Sequence, residues 1–119
     1  MTGNNLGQPI NQIAVEELAQ RLSLDQCSIQ LVDVREPQEV RTASIDGFIN
    51  LPLSQFAEWE KDIQTRLDPD KETLVLCHHG VRSAQMCQWL TSQGFTNVKN
   101  IAGGIDAYSI LVDHSVPQY

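Results

Sequence analysis

The run Thr73-Leu74-Val75-Leu76-Cys77-His78-His79-Gly80-Val81-Arg82-Ser83-Ala84 decides the fold. Its opening is uncharged and mostly apolar, the pattern of a strand buried on both faces. Gly80 breaks the chain. Beyond it Ala84, Cys87 and Leu90 recur every three residues, which predicts a helix over 82–92 with one apolar stripe, stopped by Gly94. Strand, short loop and helix in that order are half of a βαβ unit.

The same alternation extends outward. Residues 97–101 read as another core strand, and Gly103-Gly104 lead into a helix over 105–111. Upstream, Ile29-Gln30-Leu31-Val32-Asp33-Val34 is a buried strand, followed by a proline-opened helix through Val40. Residues 48–51 form a short strand stopped by Pro52. Ser54 can cap a helix over 54–66 with Phe56, Trp59 and Ile63 on one face. Val15, Leu18 and Leu22 mark an amphipathic helix whose Glu16 and Glu17 sit at the positive end of its dipole. Residues 1–9, rich in Gly and Asn, read as a flexible lead-in, and residues 10–119 as a single domain. Strands alternating with helices predict an α/β fold, with a mainly parallel sheet and helices on both faces. Ligands of such sheets sit at the carboxyl ends of the strands. Two of those ends carry reactive groups here, Asp33-Val34-Arg35 and the Cys77 loop.

Composition narrows the function. Fifteen acidic residues against eight Lys and Arg give a net charge of −7, which excludes general binding to nucleic acid or anionic membrane. The acids avoid one region. Residues 73–105 hold none, so that segment carries +2 and the remainder −9. No apolar run approaches the length of a membrane helix. Three cysteines without regular spacing, and the lack of a secretory leader, predict a reduced, cytoplasmic protein. A single domain of this size without an exposed apolar run predicts a monomer.

Cys77 is the candidate nucleophile. A loop this short curls its N–H groups inward, the following helix aims its free N–H groups and positive dipole end at the same point, and Arg82 adds a cation. All three favour a thiolate and would hold an anionic group on the sulfur. The anion cradle is therefore His78, His79, Gly80, Val81, Arg82 and Ser83, with Asp33 and Arg35 bracing it from the neighbouring strand. Cys87 lies on the apolar stripe and reads as core, and Cys27 carries no motif. A metal is not expected, because the side chains of adjacent His78 and His79 diverge, and no cofactor is called for.

The chain resembles the single-domain rhodaneses, a sulfurtransferase family, from about Ile13 onward. The pieces that carry the resemblance are Leu31-Val32-Asp33-Val34-Arg35-Glu36-Pro37, Ile49-Asn50-Leu51-Pro52-Leu53, Cys77-His78-His79-Gly80-Val81-Arg82-Ser83-Ala84, Gly94-Phe95 with Asn97-Val98, and Gly103-Gly104-Ile105 with Ala107. The resemblance implies a rhodanese-like fold with a five-stranded parallel core. It also implies a thiosulfate sulfurtransferase-type enzyme working by double displacement. Sulfane sulfur would pass from a small anionic donor (thiosulfate or a persulfide) to a thiol or cyanide acceptor through a Cys77 persulfide. The alternatives are a non-enzymatic persulfide relay and a regulatory or binding module. Related phosphatases of the same fold use Cys-x5-Arg, and Cys77 and Arg82 enclose only four residues, so phosphatase and arsenate-reductase readings are disfavoured. Three departures stand out. Ala43-Ser44-Ile45-Asp46-Gly47-Phe48 replaces the usual Gly-His-Ile-Pro-Gly-Ala, Tyr108 replaces Trp, and His78 stands where many active members have Arg. The last predicts weak turnover of thiosulfate.

Overall fold

Apolar alternation along the central strands builds two cores at once. In the computed structural model, which describes residues 10–24 and 28–119, strand β4 (Glu72–Leu76) turns Leu74 and Leu76 to one face and Val75 to the other. Strand β2 (Ile29–Asp33) does the same with Ile29 and Leu31 against Val32. Both strands are flanked on two sides by buried side chains, which is why neither shows the polar alternation of a half-exposed strand. On the first face the sheet packs on Val15 and Leu18 of α1 (Val15–Ser23) and on Ile105 and Tyr108 of α6 (Gly104–Leu111). On the second it packs on Met86, Cys87 and Leu90 of α5 (Val81–Ser92), and on Trp59 and Ile63.

Five parallel strands complete the sheet in the order β1-β5-β4-β2-β3, with β1 at Gln12–Ile13, β3 at Ile49–Asn50 and β5 at Val98–Ile101. The fold is the α/β architecture read from the sequence. Connections from β2 and β4 leave in opposite directions, to β3 and to β5, so the crevice between their carboxyl ends is the switch point where such sheets bind ligands. Asp33-Val34-Arg35 and the Cys77 loop flank that crevice, joined by the Val34 N–H donating to the Leu76 carbonyl at 3.0 Å.

Several expectations are corrected. The single helix over 54–66 is instead a chain of short turns: 3-10 at Leu53–Gln55, α3 (Phe56–Trp59), 3-10 at Glu60–Asp62 and α4 (Ile63–Arg66). The Trp59 indole N–H donates to the Pro52 carbonyl at 2.9 Å, and Trp59 packs edge-on against Phe56 and Trp89, so the winding adjusts to a fixed aromatic anchor. Ser54 does not cap this segment, since its N–H and hydroxyl both donate to Glu36. The buried face of α5 runs through Ser83, Met86, Cys87 and Leu90, with Ala84 only half-buried, because Ser83 is drawn inward by polar partners. The helix opened by Pro37, α2 (Pro37–Thr42), runs two residues past Val40. The strand over 48–51 shrinks to Ile49–Asn50, and β1 appears where no strand was read. The lead-in at 1–9 and Cys27 lie outside the described residues.

Candidate active site

Cys77 follows β4 directly and is 1% exposed. Its loop is shaped by two glycines. Gly80 adopts φ +99°, which swings its N–H onto the Cys77 Sγ at 3.1 Å and makes it the N-cap of α5. Gly104 lets α6 dock end-on beneath the loop. A Cβ at this position would strike the Cys77 and His78 carbonyl oxygens, and φ +63° already disfavours a side chain. Those carbonyls instead accept the Ile105 and Asp106 N–H groups, at 2.9 and 3.1 Å. The first turn of α6 therefore draws the loop carbonyls to its own side, and Gly80 presents its donor to the sulfur.

Ser83 is buried with its Oγ 3.2 Å from the Cys77 Sγ, and it donates to Asn100 Oδ1 of β5 at 2.5 Å. Arg82 was read as a cation of the cradle. The structure adds a partner the sequence did not show, because its guanidinium is gripped by both carboxylate oxygens of Glu39, at 2.7 and 3.0 Å. The pair holds the Glu39 carboxyl down to about 2 and brings an acid from α2 to the edge of the acid-free segment. Val81 is 68% exposed on the rim. Asp33 and Arg35 form a buried pair, with Arg35 Nη2 2.7 Å from Asp33 Oδ2. Their bracing of the loop is indirect. Arg35 donates to the Glu39 carbonyl and to the Tyr119 hydroxyl, and that hydroxyl donates to Glu39, which holds Arg82.

The two histidines do not diverge. The His78 ring is sandwiched between Tyr119 and His79, with centroids 3.9 Å away on each side. Its Nε2 is sealed from solvent without a hydrogen-bond partner among the described residues. Burial pushes its pKa below the ordinary imidazole value, and neighbouring His79 adds to that. His79 is largely exposed, 3.8 Å from Asp106. His78, His79 and Asp106 present potential ligand atoms within 4.8 Å of one another. Imidazole lone pairs lie in the ring plane, however, so two face-to-face rings do not converge on one ion without reorienting. Cys87 is packed in the core, where burial pushes its thiol up to about 12.

Sequence reasoning missed Glu39, Asn100 and Tyr119. Asn100 left one trace, a polar residue on the same strand face as buried Val98. Glu39 and Tyr119 left none, since their partners lie 43 and 84 residues away.

A parallel α/β sheet with a buried cysteine at its switch point, held by a loop N–H and two helix N-termini, defines a class of cysteine-loop domains. Residues 14–111 match the rhodanese-like domain, and the chain belongs to that family. It is 49% identical over 116 residues to the Arabidopsis thaliana rhodanese-like/PpiC domain-containing protein 12, chloroplastic, covering 94% of this chain but only 38% of that protein. It is 34% identical to a sulfurtransferase of Allochromatium vinosum, covering 84% of this chain and 89% of the relative. Among solved structures, a rhodanese-related protein from Thermoplasma volcanium superposes with TM-score 0.69 at 31% identity, over 90% of this chain and 95% of the other.

Proposed function

We propose that the protein transfers sulfane sulfur through a persulfide on Cys77. The observation that carries this reading is the buried Sγ, faced by the Gly80 N–H at 3.1 Å at the carboxyl end of the central strand. The Cys77 thiolate attacks the outer sulfur of the donor. If the donor is thiosulfate, its S–S bond breaks and sulfite leaves with the electron pair. The outer sulfur remains on Cys77 as a persulfide anion, stabilised by fixed N–H dipoles that need no reorganisation. An acceptor thiolate or cyanide then takes that sulfur and returns the Cys77 thiolate.

One observation favours persulfide donors over thiosulfate. Of the loop's cationic side chains, Arg82 is matched by Glu39 and His78 is held toward its neutral form. A dianion therefore meets little net attraction at the mouth. This supports a relay role beside or in place of thiosulfate turnover. The chemistry needs a free thiol, which a reducing compartment maintains. The cytoplasm is one such place, and the Arabidopsis relative's name assigns it to another, the chloroplast.

The test is intact-protein and peptide mass spectrometry after incubation with thiosulfate or a low-molecular-weight persulfide. One added sulfur atom on Cys77, absent in Cys77→Ser, is expected. The reading is overturned by no adduct from either donor, or by sulfur transfer at the wild-type rate in Cys77→Ser.

A further inference from the structure

The Cys77 sulfur sits at one end of a chain of hydrogen bonds whose direction can be worked out from its far end. Asn100 places its Nδ2 3.1 Å from the Gly80 carbonyl oxygen and 3.2 Å from Gln12 Oε1. A backbone carbonyl only accepts, so the amide is oriented with its NH2 toward Gly80 and its Oδ1 toward Ser83. Oδ1 also only accepts, so the contact of 2.5 Å from Ser83 Oγ uses the one hydrogen the hydroxyl has. Ser83 therefore turns lone pairs, not a proton, toward the sulfur 3.2 Å away. The one hydrogen that can lie between these atoms is that of the Cys77 thiol. Ser83 and Asn100 are both buried, so water does not replace a partner that either loses.

We propose that Asn100 is a positioning residue that acts through Ser83 to set the pH at which Cys77 ionises. With Asn100 holding the hydroxyl proton, the arrangement S–H to Oγ, O–H to Oδ1 is complete and the resting thiol is satisfied. Removing the thiol proton leaves the sulfur anion facing the oxygen lone pairs. Ser83 must then rotate its proton to the sulfur, and Asn100 Oδ1 is left a buried acceptor without a donor. Asn100 thus opposes the Gly80 N–H and the helix dipole, which favour the thiolate.

A persulfide escapes this penalty. Its charge sits mainly on the outer sulfur, one bond further out, and the inner sulfur is neutral and carries no proton. Ser83 then keeps its bond to Asn100. The relay accordingly weights the balance away from the bare thiolate and toward the resting thiol and the loaded enzyme. This consequence rests on the proposed function, but the ionisation claim does not.

The experiment measures the rate of iodoacetamide alkylation at Cys77 against pH, resolved by peptide mass spectrometry, for the full chain. The variants are wild type, Asn100→Leu, Ser83→Ala and the double variant. Asn100→Leu frees the Ser83 proton for the thiolate. The alkylation midpoint is expected to move down by about one pH unit, with the rate near neutrality rising about five- to tenfold, the scale of one buried hydrogen bond. In the Ser83→Ala background the same substitution is expected to move the midpoint little, because the connecting hydroxyl is gone. An unchanged or raised midpoint in Asn100→Leu, or an equal shift without Ser83, overturns the proposal.

Should Asn100→Leu fail to fold, the native protein still decides. The infrared difference between wild type and Cys77→Ser near neutral pH is expected to show an S–H stretch shifted by hydrogen bonding, and its absence overturns the proposal. No sulfur donor enters either measurement. A missing persulfide adduct with a normal alkylation result would remove the sulfur-transfer reading alone.

Discussion

His78 shows how a rim residue is biased toward its neutral form by its surroundings. It is sandwiched between two rings with Nε2 sealed and unpartnered among the described residues, and burial with the neighbouring His79 disfavours the charged ring. Its folded pKa lies below the ordinary 6.5. The stability it contributes is fully present above that ordinary value and is lost as pH falls through the lower, folded one. Wild type and His78→Phe, which keeps the stack, should melt with a constant offset at about pH 8. Below about pH 6.5 the wild type should lose stability more steeply, and thermal melts across pH 5–8 read this out. Much of the site was legible at this scale. A strand-end cysteine, a glycine three residues on and a serine at the head of a helix are local signals, and the structure gathers all three on one sulfur. Glu39, Asn100 and Tyr119 were illegible, because their positions are fixed by strand order and tail docking rather than by nearby residues. The pairing of Arg82 was illegible for the same reason: its partner Glu39 is contributed by another element.

Among the elements, the docking of α6 under the cysteine loop leaves no room for a side chain at Gly104. Gly104→Ala would drive a methyl group into two backbone carbonyls at a left-handed position, where no flexible side chain can yield. A loss of about 2–4 kcal/mol in unfolding free energy is expected by urea denaturation, with no comparable loss at exposed Ala57 replaced by Gly. The strands β2 and β4 were readable because runs buried on both faces are mostly apolar, whereas β5 carries Lys99 and Asn100 between its apolar ends and was read from its place after Gly94. The two-residue β1 carried no pattern of its own and exists because β5 offers it an edge, through pairing of Gln12 with Asn100. The helix expected over 54–66 failed differently. Its apolar spacing was correct, but the Trp59 bond to Pro52 and the aromatic cluster set the local winding.

For the whole molecule, the sequence's division into a +2 segment and a −9 remainder does not become a positive site. Arg82 is taken by Glu39 and Lys99 by Glu72, whose carboxylate also receives Arg21 from α1. Glu72 therefore ties α1, β4 and β5 together, and the Arg21 hydrogen bonds above all hold its carboxyl down to about 2 from an ordinary 4.5. Its contribution is present above pH 4.5 and disappears as pH falls from there toward 2. Glu72→Gln should cost about 1–2 kcal/mol near neutrality and flatten the loss of stability in that acid window, as measured by urea unfolding at successive pH values. The register of β1 on β5 has a consequence in time. Gln12 meets the Asn100 side chain across 88 residues, and β1 has no edge to join until β5 has docked beside β4. Closing so long a loop is entropically expensive and belongs late in assembly. A nascent chain that has emerged only as far as α5 already carries Cys77 and Ser83 but has no Asn100 to fix the serine proton. The Ser83–Asn100 hydrogen bond beside the sulfur therefore waits for β5.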